Sequence, residues 1–202
     1  MTTYGLTATE VRRLRALRTP ALVQRFLDEL PYHHANTAWS PRCVLREHTA
    51  HCLEGAIFAA AALRVNGYPP LLWDLEAFHD VDHVLAIYRY RGHWGAIGKS
   101  NFAGLRFREP VYRSLRELAM SYFEQYYNLR RERTLRAYSR PANLKRFDRL
   151  DWMTTETGVW FIPEYLCHVA HTPLLTRHQA SRLSRLDARS HAAGLVGHSK
   201  PR

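Results

Sequence analysis

The sequence predicts an α+β fold in which a central, cysteine-bearing helix packs on a small antiparallel sheet, with further helices flanking it. Three observations carry this expectation. Residues 52–65 are apolar almost all round, with Glu54 and Arg64 the only charges and Asn66-Gly67 as a stop signal, which is the pattern of a buried helix. The runs 83–90 and 94–97 read as strands turned back on each other at Arg91-Gly92, a hairpin preceded by a strand at 71–75. Apolar positions elsewhere recur at helical spacing, as Leu22, Val23, Phe26, Leu27 and Leu30 do.

In chain order, Thr7 to Leu17 reads as a short basic helix, and Thr19-Pro20 opens a second that Pro31 ends. Tyr32 to His48 carries His33, His34, Asn36, Trp39, Pro41 and Cys43 without a clean period, so it reads as a long loop, a kind that is often functional. Cys52 falls in the first turn of the central helix, whose alanines let neighbours approach closely. Asp80-Val81-Asp82 leads into the strand that His83 opens. Pro110 marks a helix start, with Val111, Leu115, Leu118, Ala119, Tyr122 and Phe123 giving an amphipathic helix to about Asn128. Thr134 to Tyr138 is a further strand candidate, and a basic helix is expected from about Thr176 to Ala188. Residues 1–189 are read as one domain, its core at about 45–128 and a C-terminal extension at 129–189, with 190–202 a frayed, flexible tail.

The composition bounds the function. In 202 residues, 46% hydrophobic and 23% charged, no apolar run approaches the roughly 18 residues a membrane span needs. Met1 to Leu6 lack a basic stretch leading into an apolar core, so the expectation is a cytoplasmic protein without a secretory signal. Three cysteines, Cys43, Cys52 and Cys167, argue against a disulfide framework. The net charge of +11 raises nucleic acid as a partner. The basic runs at 106–116 and 130–133 have aromatic neighbours, but no RNA- or DNA-binding motif accompanies them, and solvated helix faces account for them better. His33, His34, Cys43, His48, His51 and Cys52 crowd together without the paired spacing of a zinc site, and no glycine-rich phosphate loop occurs, so neither metal nor cofactor is expected.

The chemistry centres on Cys52 and on His83, which follows it at the start of a β-hairpin. A thiol at a helix N-terminus has its thiolate stabilised by unpaired N–H groups and the macrodipole, and an adjacent imidazolium lowers its pKa further. The same N–H groups can hold an oxyanion. Alternation puts His83 on the face of Leu85 and Ile87, expected to pack toward the central helix and so to meet Cys52. An inert core cysteine is the competing reading.

His51-Cys52-Leu53-Glu54-Gly55-Ala56, the helix exit Asn66-Gly67-Tyr68-Pro69-Pro70, His83 opening a strand and Gly92-His93-Trp94 beginning the next resemble the core of transglutaminase-like cysteine enzymes with a papain-type fold. The resemblance covers about residues 45–101. It implies Cys52 as nucleophile and His83 as general base, with Glu54 matching an acidic residue common in bacterial members. The aspartate that completes the family's triad falls on Gly98, which has no side chain. A two-residue turn would set His83 opposite Ser100, whereas a longer turn would bring in Asn101, the better orienting group because its amide can accept from the imidazole. Asp80 and Asp82 are rivals, although Asp82 should point to the other side of the strand. The oxyanion hole would combine the Cys52 N–H with an upstream donor, Trp39 or else His51. The expected function is thiol-dependent amide or acyl chemistry on a peptide, protein or small amide. An inactive binding module of the same fold and a basic nucleic-acid-binding protein are the alternatives.

Overall fold

The computed structural model describes residues 3–200. Its architecture is α+β: one antiparallel sheet with helices packed on both faces. Two N-terminal helices, α1 (Ala8–Ala16) and α2 (Pro20–Glu29), start at Thr7 and Thr19, whose hydroxyls accept from backbone N–H groups of the first turn. The expected loop at 32–48 contains a helix, α3 (Pro41–Glu47), in which Ser40 caps and Pro41 takes the first position. Helix α4 (Cys52–Val65) follows, buried over nearly its whole length, and Asn66 closes it by donating to the carbonyls of Ala62, Leu14 and Leu17.

The strands β1 (Leu71–Ala77), β2 (His83–Tyr90) and β3 (His93–Ile97) pair in sequence order. Tyr90 pairs with His93 across a two-residue turn in which Arg91 and Gly92 take φ of 46° and 87°, the left-handed pair such a hairpin demands. Next come β4 (Arg108–Tyr112), α5 (Leu115–Phe123), β5 (Leu135–Ser139), β6 (Ala142–Asn143) and a 3-10 segment (Leu144–Leu150). The chain closes with α6 (Phe161–His168), β7 (His171–Pro173), α7 (Arg177–Ser181) and α8 (Ala188–Gly194). The sheet order is β4-β3-β2-β1-β5-β7, with β6 beside β1.

Two sequence expectations shift here. Pro110 lies in β4 rather than opening a helix, because an edge strand tolerates its missing N–H, and Ser114 caps α5 instead. The basic segment at 176–188 forms only the short α7, and the tail expected to fray carries α8. Gly194 is buried against the Tyr127 phenol, its carbonyl accepts from Ala103, and Ser199 and Asn101 exchange two hydrogen bonds of 2.8 Å.

The face assignment of β2 decides what can reach Cys52. Val84, Ala86 and Tyr88 pack with α4 in one core, whereas Leu85 and Ile87 pack with α5 residues Leu118, Ala119 and Tyr122 in a second. Ala86 shares this core with Ala59–Ala62, and such small side chains permit the close helix-to-sheet approach that the alanines foreshadowed. Alternation along a central strand apolar on both faces marks two faces without saying which helix covers each. No helix among the described residues is long and apolar enough to cross a membrane.

Candidate active site

Cys52 occupies the first position of α4, above the β1–β2 ladder where Asp74 pairs with Val84. Backbone N–H groups of Leu53 and Val84 face the thiol, yet burial dominates and pushes its pKa up, with the Asp74 charge adding to the effect. The phenol of Tyr32 lies against the Cys52 backbone N–H and thiol, and burial raises its pKa strongly.

Asp74 shares the α4 side of the sheet with Leu72, and its backbone N–H donates to Ser139 Oγ (3.0 Å) on β5. Ser139 pairs with His171 on β7, so Val84, Asp74, Ser139 and His171 form a row across four strands. His171 Nε2–H donates to Asp74 Oδ2 at 3.0 Å. Burial, with the Asp82 charge behind it, pushes the Asp74 carboxyl up to about 6, while the His171 hydrogen bond works in the opposite direction. Cys52, Tyr32, Asp74 and His171 line one cavity of about 760 Å³, floored by Leu53, Val84 and Leu166.

A second carboxylate anchors the cavity wall. Glu54, fully buried, accepts from Thr37 Oγ1 (2.6 Å), the Trp39 and His51 backbone N–H groups (3.2 Å each) and His33 Nδ1 (3.1 Å). His33 stacks on Trp39 with ring centres 4.1 Å apart, and His51 Nε2–H donates to the Thr37 carbonyl at 2.8 Å. Glu54 therefore ties the segment 33–39 to the first turn of α4, the turn that carries Cys52.

The residues expected around His83 are distributed differently. His83 is buried on the α5 side, opposite to Cys52, and its Nε2–H donates to the Leu105 carbonyl at 2.9 Å. Desolvation there drives its pKa down to about 4. Gly98 adjoins it: a Cβ built there would lie 3.3 Å from His83 Nε2 but would collide with Leu85. Strand β3 ends at Ile97, so neither Ser100 nor Asn101 pairs with His83. The Ser100 hydroxyl accepts from the Phe102 N–H, and Asn101 holds Ser199. Asp80 is engaged with Thr134, and Asp82 lines the Cys52 cavity while accepting from the Ala77 N–H (2.7 Å). Trp39 contributes its backbone N–H to Glu54, and His51 borders the cavity.

Asp74, His171 and Tyr32 are the residues that sequence reasoning passed over. One signal existed for Asp74, a carboxylate set inside the apolar run Leu71–Leu75, where burial demands a partner. His171 sits on a three-residue edge strand with no periodicity to announce it. Among the described residues no group of three or more His, Cys, Asp or Glu side chains is placed to hold a metal ion. No family model matches this chain, and no curated protein does.

Proposed function

We propose that the cavity performs thiol-dependent acyl chemistry on an amide or ester carbonyl, with Cys52 as nucleophile and His171, held by Asp74, as general base. The observation that carries this reading is the sharing of one cavity by a helix-N-terminal cysteine and a strand-borne histidine bonded to a buried carboxylate. It keeps the transglutaminase-like plan of a helix thiol over an antiparallel sheet and moves the base from His83 to His171.

Because burial holds the Cys52 thiol protonated, attack needs a base at the moment of bond formation. Nε2 of His171 is committed to Asp74, so Nδ1 is the nitrogen left to take the thiol proton. The sulfur bonds to the carbonyl carbon while the proton passes to His171. The resulting oxyanion draws on the N–H groups at the start of α4 and on the Tyr32 hydroxyl. Collapse expels the amine or alcohol, which recovers the proton from His171, and leaves a thioester on Cys52. Water or an amine then attacks that thioester, with His171 again taking the proton, and regenerates the thiol.

The test compares Cys52→Ala, His171→Ala and His83→Leu on p-nitrophenyl acetate, with thermal unfolding followed in parallel. The proposal expects the first two variants to lose the acylation burst while remaining folded and the third to keep it. A burst that survives Cys52→Ala removes the nucleophile, and one lost only in His83→Leu returns the base to His83.

A further inference from the structure

The charge of this cavity is inverted relative to the chain that builds it. Lys and Arg supply 29 of 202 residues and the net charge is +11, yet none of the cavity's nineteen lining residues is Lys or Arg. Three are carboxylates: Asp74, Glu76 and Asp82. The histidines on the wall are each engaged, His33 with Glu54, His34 with Ser199, His51 with the Thr37 carbonyl and His171 with Asp74. Asp74 is spoken for by His171, but Glu76 is exposed on β1 and Asp82 uses one oxygen on the Ala77 N–H. Neither has an ion-pair partner among the described residues. Trp160, 45% exposed, lines the same cavity. Unpaired carboxylates and an exposed tryptophan on one cavity wall, with no Lys or Arg among the lining residues, form an environment that attracts positive charge and repels negative charge.

We propose that the site selects substrates bearing an ammonium or guanidinium group close to the carbonyl that is attacked, with Glu76 and Asp82 receiving the cation and Trp160 covering it. This rests on the reading of Cys52 as the reacting thiol. Low-dielectric walls of Leu53, Val84, Pro163 and Leu166 concentrate the field of the two carboxylates inside the cavity, so a substrate is sorted by charge as it enters.

The experiment reads the site's charge preference without requiring turnover. Cys52 in the full chain is modified at pH 8 with two methanethiosulfonate reagents of similar size, the cationic trimethylammonioethyl and the anionic sulfonatoethyl compound. Rates at Cys52 come from peptide mapping, each normalised to the same reagent's rate with 2-mercaptoethanol. The cation should react at least fivefold faster than the anion, and the Glu76→Gln/Asp82→Asn double variant should bring the two together. Glu109→Gln, an exposed carboxylate on β4 away from the cavity, should leave the ratio unchanged. Nα-acetyl-lysine amide or Nα-acetyl-arginine amide should protect Cys52 where the neutral norleucine analogue does not. A ratio near one, a preference for the anion, or a cation preference that survives the double variant overturns the proposal. Because modification needs only a thiol, a failure here is separate from a failure of the catalytic reading, which the acylation burst reports.

Discussion

His171 and Asp74 stand 97 residues apart in the chain and are joined by a 3.0 Å hydrogen bond across β7, β5 and β1. The bond fixes which imidazole nitrogen faces Asp74 and leaves the other free of that bond, on a residue that lines the Cys52 cavity. It also gives a partner to a carboxylate that would otherwise be stranded in the sheet.

That relationship predicts a pH profile. Asp74 titrates at about 6 because burial and Asp82 oppose its ionisation, and only its charged form holds His171 firmly. Acylation by p-nitrophenyl acetate should therefore fall as pH drops below about 6, where Asp74 takes up its proton. Asp74→Asn should lower the rate about a hundredfold and displace that acid limb. An unchanged limb in Asp74→Asn would detach the carboxylate from the reaction.

His83 predicts a stability effect instead of a catalytic one. Its folded pKa, about 4, lies below the 6.5 of an unperturbed histidine, so the unfolded chain binds the extra proton between those values. Its contribution is complete above pH 6.5 and is lost as pH falls through 6.5 toward 4, about 3 kcal/mol over the window. His83→Leu should start less stable at pH 7.5, since the Leu105 carbonyl loses its donor, but should lose less stability on acidification than the parent. Denaturant melts at pH 7.5 and 4.5 for both proteins measure the difference. Equal losses would mean that His83 does not titrate as a buried neutral ring.

Much of the fold was legible because it is local. The all-round apolar helix at Cys52, the hairpin turn at Arg91-Gly92 and the Thr-capped N-terminal helices are each specified by residues adjacent in sequence. Cys52 itself was legible for the same reason. Its proposed partners were not, because His171 reaches Asp74 only through the non-sequential neighbours β1, β5 and β7. The misplacement of His83 has a single cause: on a strand buried on both faces, alternation fixes relative sides but not which helix lies above each. Ser40-Pro41 held a helix start that the surrounding irregular composition masked.

Asn101 holds the C-terminal segment rather than orienting a catalytic histidine. Its amide donates to the Ser199 carbonyl and its carbonyl oxygen accepts from the Ser199 N–H, each at 2.8 Å, while the Ser199 hydroxyl meets His34 on the cavity wall. Asn101→Ala should leave the acylation burst within about twofold and make the chain beyond Gly194 much more susceptible to limited proteolysis. Retained protease resistance would show that Gly194 and Tyr127 hold the segment without Asn101.

Glu54 offers the sharpest test of how the site is built. Its two oxygens receive Thr37 Oγ1, the Trp39 and His51 backbone N–H groups and His33 Nδ1, so every contact it makes is as an acceptor. Glu54→Gln keeps the shape but turns one acceptor into a donor facing groups that also donate, leaving at least one buried N–H or hydroxyl unpaired. The expected cost is about 2–3 kcal/mol in urea unfolding, the penalty for a stranded buried donor plus the lost charge-assisted bonds. The damage should be directional. Amide exchange should accelerate at Trp39 and through 33–39 before it does in the middle of α4, because Ile57, Phe58 and Ala59–Ala62 are packed in the core by the sheet and the N-terminal helices independently of Glu54. The Cys52 modification rate should change as well, since the wall bearing His33 and His34 loosens over it. Faster exchange spread evenly over α4 would instead make Glu54 a support of the whole helix, and an undisturbed 33–39 segment would mean that the stack of His33 on Trp39 holds the wall by itself.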